Sequence, residues 1–342
     1  MWNYLKNHTQ KPIVLYGMGD GADKVLSVCR QLEIPVAGVF ASDEFARHNV
    51  FHGYTVTTYA EAKAAFGDMI VLVCFGTSCP DVLARIDAIA QEQELFIPDL
   101  PVYGDGLFSR NYAREHEGKL RAVFNALADD TSRNVWQNLL QYRVSGSLGY
   151  LRAAETDPEE AWENILKPTD AECFLDLGAY RGDTIKEFLD HVNSYAAITA
   201  IEPDAGTYRK LCENTETLRD CRRIHAAAGT VDGICLFSGK RGRGSAVTGH
   251  GTEIPCVRVD SLHTAVPFSL VNIDVEGNEC AAISGMEETI RTNKPKLVIA
   301  GYHRVEDYFS IPLKILEMRP DYKLYIRHFC GIPAWDTNFY FI

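Results

Sequence analysis

Four stretches of this chain combine residue types that do chemistry with positions at the ends of apolar runs. The first is residues 174–184, FLDLGAYRGDT, where Asp176-x-Gly178-x-x-x-Gly182 closes an apolar run and leads into helical spacing. Glycines in such a turn let the backbone approach a ligand, and the free N–H groups of a helix start favour polar or anionic groups. A dinucleotide turn asks for Gly-x-Gly-x-x-Gly. Here Tyr180 follows Gly178 by two, so a pyrophosphate fits poorly. An acidic strand end with a looser glycine turn suits the methionine end of S-adenosylmethionine, with Asp176 contacting or orienting its cationic amino group. The donor-side candidates of this turn are Asp176, Gly178, Ala179, Tyr180, Gly182 and Thr184.

The second stretch is TAIEPD, residues 199–204, twenty residues past Gly182 at Glu202. A carboxylate at this strand end accepts hydrogen bonds from both ribose hydroxyls. Pro203 beside it and Ala227 at the next strand complete the expected cofactor-binding set. The third is VNIDVEGNE, residues 271–279, whose Asp274 falls where a further parallel strand reaches the ligand crevice. Asp274, Glu276 and Glu279 have no histidine at ligand spacing, so no metal site is expected. The fourth is IAGYHRVEDY, residues 299–308, with His303 at a strand end. Histidine suits proton transfer near neutral pH. His303 and Asp274 are both candidates for the base or for the group that orients the acceptor. Arg327 and His328 are weaker candidates.

These residues need parallel strands to bring them together, and the hydropathy pattern supplies them. PIVLYG (12–17), PVAGVFASD (35–43) and DMIVLVCFGTS (68–78) are apolar runs separated by helical spacing, which predicts a βαβαβ unit with right-handed crossovers. A helix is expected from about Tyr59 to Phe66, and ELFIPDLPVYG supplies a last short strand. Residues 106–168 are polar and helical. Alternation resumes at 172, with RRIHAAAGT, GICLFSG, IPCVRVDSL, LVNIDVEG and KPKLVIAGYH as strands, and YKLYIRHF and TNFYFI as a closing pair. The expected organisation is a Rossmann-like domain at 1–105, a helical connector at 106–168 and a catalytic domain at 169–342. The fold class is α/β with two Rossmann-like domains.

The 342 residues carry 34 basic and 46 acidic side chains, a net charge of −12. Binding a nucleic-acid backbone needs clustered Lys and Arg, so nucleic acid is excluded as a partner on charge. No apolar run is long enough to span a membrane. Ten cysteines stand singly with no Cys-x-x-Cys, as reduced thiols do in the cytoplasm. A cytoplasmic protein is expected, with self-association left open. The loop Lys240-Arg241-Gly242-Arg243-Gly244-Ser245 is basic in an acidic chain and is a candidate contact for an anionic acceptor.

Residues 172–342 resemble an FkbM-family, S-adenosylmethionine-dependent methyltransferase. The matching stretches are FLDLGAYRGDT, IEPD, VNIDVEGNECAAISGMEETI, KPKLVIAGYHRVEDYFSIP and YKLYIRHF. LADDTSRNVWQNLLQYR resembles the segment preceding this domain in longer members. The resemblance implies a class I methyltransferase fold, a seven-stranded, mostly parallel sheet ending in an antiparallel hairpin. It implies S-adenosyl-L-methionine as cofactor and O-methylation of a small metabolite or a sugar-containing acceptor. Tyr180 departs from the second glycine of many methyltransferases. No Asn-Pro-Pro-Tyr is present, which disfavours methylation of a base or amide nitrogen.

The first half resembles the Rossmann-like unit that precedes sugar acetyltransferases. Gly17-Met18-Gly19-Asp20-Gly21-Ala22 gives Gly-x-Gly-x-x-Ala, and Asp43 ends the second strand. Asp20 and Asp23 at the helix start repel a phosphate while favouring the helix dipole. The competing reading is an NAD(P)- or nucleotide-sugar-binding protein acting through this half, with a regulatory or inactive methyltransferase domain.

Overall fold

The computed structural model describes residues 1–238, 246–247 and 251–342. The basic loop 240–245 therefore lies outside the described residues. In the first half, β1 (Ile13–Tyr16), β2 (Gly38–Phe40), β3 (Val50–Phe51), β4 (Tyr54–Thr57), β5 (Ile70–Val73) and β6 (Glu94–Phe96) form one sheet in the order β3-β4-β2-β1-β5-β6. All pairs are parallel except the short β3/β4 hairpin. Every residue of β1 and β5 is buried, as expected of central strands covered on both faces. The helix Asp20–Gln31 buries Ala22, Val25, Leu26 and Cys29 on one stripe. The helix Tyr59–Phe66 starts at a reciprocal Thr58/Glu61 capping box.

Residues 110–166 are helical. The longest helix, Asp130–Ser145, is capped by the Asp129 carboxylate and buries Val135, Trp136, Leu139, Tyr142 and Arg143. The second large sheet takes β7 (Cys173–Leu177), β8 (Ala197–Ile201) and β9 (Cys221–Ile224) on one side of its switch point. A small sheet beside it contains β10 (Ala227–Ala228), β11 (Gly233–Ser238), β12 (Ala246–Val247) and β13 (Thr252–Val257). The large sheet is completed by β14 (Leu270–Ile273), β15 (Lys296–Ala300), β16 (Leu324–His328) and β17 (Thr337–Phe341), in the order β16-β17-β15-β14-β7-β8-β9. β17 runs opposite to the other six strands, so the β15/β17 and β16/β17 pairs are antiparallel and the rest parallel. This is the class I methyltransferase arrangement, and the sequence reading of two α/β sheets and a closing hairpin is met.

One expected strand divides. RRIHAAAGT supplies β9 to the large sheet and β10 to the small one. The chain turns between them at His225, whose ring stacks on Tyr208 and whose Nε2 meets the Pro203 carbonyl at 3.0 Å.

A single buried apolar cluster runs from Val14 and Tyr16 through Trp136, Leu139 and Tyr142 to Leu175, Ile299 and Phe339. The helical segment is therefore packed into both sheets. Arg327, fully buried on β16, pairs with Asp129 at 2.7 Å and Glu160 at 2.6 Å. His328 beside it is buried, and burial followed by the Arg152 charge lowers its pKa to about 4. Both residues are thus part of the structural seam. No helix among the described residues is long and apolar enough to cross a membrane.

Candidate functional site

Strand order reverses between β7 and β14, and in open α/β sheets ligands bind outside the carboxyl ends of the strands at that point. A cleft of about 580 Å³ lies there. Gly178 and Tyr180 follow β7, Glu202 and Pro203 follow β8, Asp274 follows β14 and His303 follows β15. All of these line the cleft, together with Thr184 and Ala227.

Gly178 has φ +83°, and a Cβ on it would stand 1.8 Å from the Asp274 carbonyl oxygen. No side chain fits, so glycine is required for the turn and β14 to meet. Tyr180 takes φ +46°, and its N–H donates to Glu202 Oε2 at 3.0 Å. Asp204 N–H donates to Glu202 Oε1 at 2.8 Å. Burial raises the Glu202 pKa to about 7 against these two bonds.

Asp176 is fully buried and lies behind the cleft wall. Its Oδ1 accepts from Asn272 Nδ2 at 2.9 Å, and its Oδ2 has no hydrogen-bond partner. Burial, then the charges of Asp183, Asp274 and Glu202, raise its pKa to about 7. Asp176 and two further expected residues, Ala179 and Gly182, are not part of the cleft lining. Ala179 is packed in the core against Phe174 and Ile185, and Gly182 faces Thr215 and Leu211 while starting the helix Asp183–Asp190.

His303 is 1% exposed and surrounded by carboxylates. Its Nδ1 lies 2.9 Å from Glu279 Oε1, and its Nε2 lies 3.4 Å from Asp274 Oδ1 and 3.5 Å from Glu276 Oε2. Burial alone would lower its pKa. The Glu279 charge and hydrogen bond, then the charges of Asp274 and Glu276, outweigh burial and raise it to about 10. His303 is therefore an imidazolium at neutral pH. Glu279 also accepts N–H bonds from Val275 and Gly277, both at 3.1 Å. The Asp274 pKa is raised by desolvation against the pull of His303, with Glu279 and Asp336 adding to the rise. Tyr302 Oη donates to Asp274 Oδ2 at 3.3 Å.

Asp274, Glu279 and His303 each offer one ligand-type atom within 4.8 Å of the others. This set has the donor types and spacing to hold a cation. The spacing argument overlooked the arrangement because His303 is remote in sequence and joins the cluster through the β14/β15 pairing.

Sequence reasoning also missed Asn272, Tyr302, Trp335, Asp336 and Asn338, and Val102 from the first half, all of which line the cleft. Asn272 had a signal, since it stands two residues before Asp274 on the same face of the strand. Trp335 and Asp336 sit in the turn between β16 and β17, where no local pattern marks them.

Residues 176–322 match the family model described as the methyltransferase FkbM domain. Over that stretch the chain is similar to an FkbM methyltransferase domain. Among solved structures, the chain is similar to methyltransferase FkbM from Methylobacillus flagellatus KT, with 19% identity and a TM-score of 0.74. That similarity covers 97% of this chain and 90% of the other, so both halves share the fold. Fibrillarin from Aeropyrum pernix, solved with S-adenosyl-L-methionine natively bound, is 13% identical, with coverage of 51% and 67% and a TM-score of 0.34. No curated protein matches the chain. The site fits S-adenosylmethionine, the cofactor that the sequence resemblance implies. A buried Asp176 oxygen is left without a partner, and Gly178 and Glu202, at the ends of β7 and β8, line the cleft.

Proposed function

We propose that the chain transfers a methyl group from S-adenosylmethionine to a hydroxyl oxygen of a small or sugar-containing acceptor. The observation that carries this reading is the position of Asp274. Its carbonyl touches the Gly178 turn, and its carboxylate belongs to the His303 cluster in the same cleft. When bound, S-adenosylmethionine supplies an electrophilic methyl group. Glu202 accepts the ribose hydroxyls, and Asp176 with Asn272 forms the polar floor below the Gly178 turn. The remaining cofactor contacts assigned to the turn are backbone contacts at Gly178, Ala179, Tyr180 and Gly182, with Thr184, Pro203 and Ala227 around them.

An alcohol must lose its proton as its oxygen takes the methyl group, and a positioned base accelerates this step. Asp274 is that base. Its raised pKa makes it a stronger proton acceptor than an ordinary aspartate. His303 is already protonated at neutral pH, so it acts by holding Asp274 and Glu276 and offsetting their charge. The described residues lining the cleft include several carboxylates and no Lys or Arg, which favours a neutral or cationic acceptor over an anionic one.

On this reading residues 1–105 and 106–168 serve the catalytic domain 169–342. At the glycine turn of the first half, Asp20 and Asp23 of the following helix disfavour a phosphate. The Phe75 ring lies 2.7 Å from where a Cβ on Gly17 would stand, and so fills the space beside that glycine.

The test uses donor carrying a tritiated methyl group and an extract containing the acceptor, with mass spectrometry of the product. Asp274→Asn is expected to slow transfer by about 10²–10⁴-fold, the usual worth of a general base, with donor affinity by calorimetry unchanged. A variant as fast as the parent chain, or a product methylated on nitrogen, would sink the assignment.

A further inference from the structure

The segment leaving the first sheet after β6 crosses to the second half and ends against the His303 cluster. At its start, Asp99 pairs with the buried Arg143 at 2.8 Å. The Arg143 guanidinium lies over the Phe108 and Tyr308 rings, at 4.4 and 4.3 Å from their centres, and donates to the Val305 carbonyl. Two residues on, Lys24 from the helix Asp20–Gln31 donates to the carbonyls of Pro101, at 3.3 Å, and Val102, at 2.9 Å. The next N–H, that of Tyr103, donates to the His303 carbonyl at 2.9 Å.

The side chain of Tyr103 makes a second set of contacts. A Cβ on Gly277 would stand 2.9 Å from the Tyr103 Cβ, so the tyrosine lies directly on this glycine. The Arg304 guanidinium sits 4.5 Å above the Tyr103 ring, and its Nε donates to the Gly277 carbonyl. Tyr103, Arg304 and Gly277 thus enclose the turn that carries Glu276. That turn has two consecutive positive φ angles, +52° at Glu276 and +91° at Gly277. The left-handed region is unfavourable for a residue such as Glu276, so the turn depends on contacts from outside itself.

We infer that Tyr103, held from behind by Lys24, is a positioning residue that sets His303 and Glu276 in register with Asp274. The first half of the chain is then a working part of the methyl-transfer site, because Lys24 follows its glycine turn and Val102 and Tyr103 lie on its exit segment. The placement matters because reacting groups lose effectiveness steeply with displacements of about 1 Å. The inference rests on the reading of this cluster as the acceptor side of the cleft.

The test reads His303 itself, in the full-length chain labelled with ¹⁵N-histidine. Its imidazole signals are assigned from the spectrum of His303→Asn. Tyr103→Ala is expected to shift these signals as the carboxylates move away from the ring. Tyr103→Phe keeps the ring and the backbone bond and should restore the parent spectrum. Lys24→Met, at a partly exposed side chain, should move the His303 signals in the same direction as Tyr103→Ala. Calorimetric affinity for S-adenosylmethionine should be unchanged in all three. His303 signals in Tyr103→Ala identical to those of the parent overturn the inference. If Tyr103→Ala does not fold, Lys24→Met decides, and unshifted signals there overturn it equally. Shifted signals alongside full methyl transfer by Asp274→Asn would leave the positioning role standing and remove the proposed base.

Discussion

Removing the negative charge of Glu279 should uncouple folding stability from pH over a defined range. Glu279 is 1% exposed, and its Oε1 lies 2.9 Å from His303 Nδ1 as an ion pair. In Glu279→Gln the amide oxygen can still accept from Val275 and Gly277, but the charge that opposes burial of the imidazolium is gone. In the parent chain the His303 pKa is raised from 6.5 to about 10. At about 1.4 kcal/mol per unit, the full shift corresponds to at most about 5 kcal/mol. The sign follows from the direction of the shift. A histidine with a raised folded-state pKa binds more protons folded than unfolded between the two values. Its contribution is complete below about pH 6.5, declines as pH rises and is lost through about pH 10. Guanidinium unfolding at pH 6, 8 and 10 would measure this in both proteins. The difference between parent and variant cancels the other titrating groups, and should shrink by about 3–5 kcal/mol from pH 6 to pH 10. A difference that stays constant across that range would refute the imidazolium, and with it the argument that His303 cannot be the base.

Two further outcomes follow from the donor side. Glu202 has a pKa raised to about 7 by burial, and its ionised form is the better acceptor for hydroxyls. Donor affinity by calorimetry should therefore fall below pH 7, approaching tenfold per unit, and Glu202→Gln should be weak and flat across pH 6–8. Gly178→Ala places a methyl group 1.8 Å from a backbone oxygen at a φ of +83°. Overpacking and backbone strain together should cost about 2–5 kcal/mol. Thermal unfolding would show it, and an unshifted melting temperature would mean that the turn is not held against β14.

The parts of the site legible in the sequence were those that one strand and its following turn carry alone. Asp176, Gly178 and Glu202 sit at the ends of apolar runs, and the run itself places them at one edge of a parallel sheet. Asp274 and His303 could be named for the same reason, but their relation could not. That His303 is an imidazolium depends on Glu279 reaching its Nδ1, a contact made by the pairing of β14 with β15 and the turn between Val275 and Gly277. Ala179 looked like part of the ligand turn because of its place between two glycines, yet its Cβ points into the core. The division of RRIHAAAGT was invisible because both pieces read as strand, and only the His225 contacts show where the chain turns. Val102 and Tyr103 carried no local signal, since an exit loop acquires its role from the half of the molecule it reaches.

The buried cluster that joins Val14 to Phe339 through Trp136 and Tyr142 bears on how the chain can be divided. Halves that share a core melt together, as a single cooperative unit. A fragment beginning at residue 169 would contain every cleft carboxylate and still present the bared flanks of Leu175, Ile299, Tyr308 and Phe339 to water. Swapping the first half for that of a relative would have to carry matching surfaces at Trp136 and Tyr142. Recombination between such chains is thus constrained by the helical segment more than by the cleft.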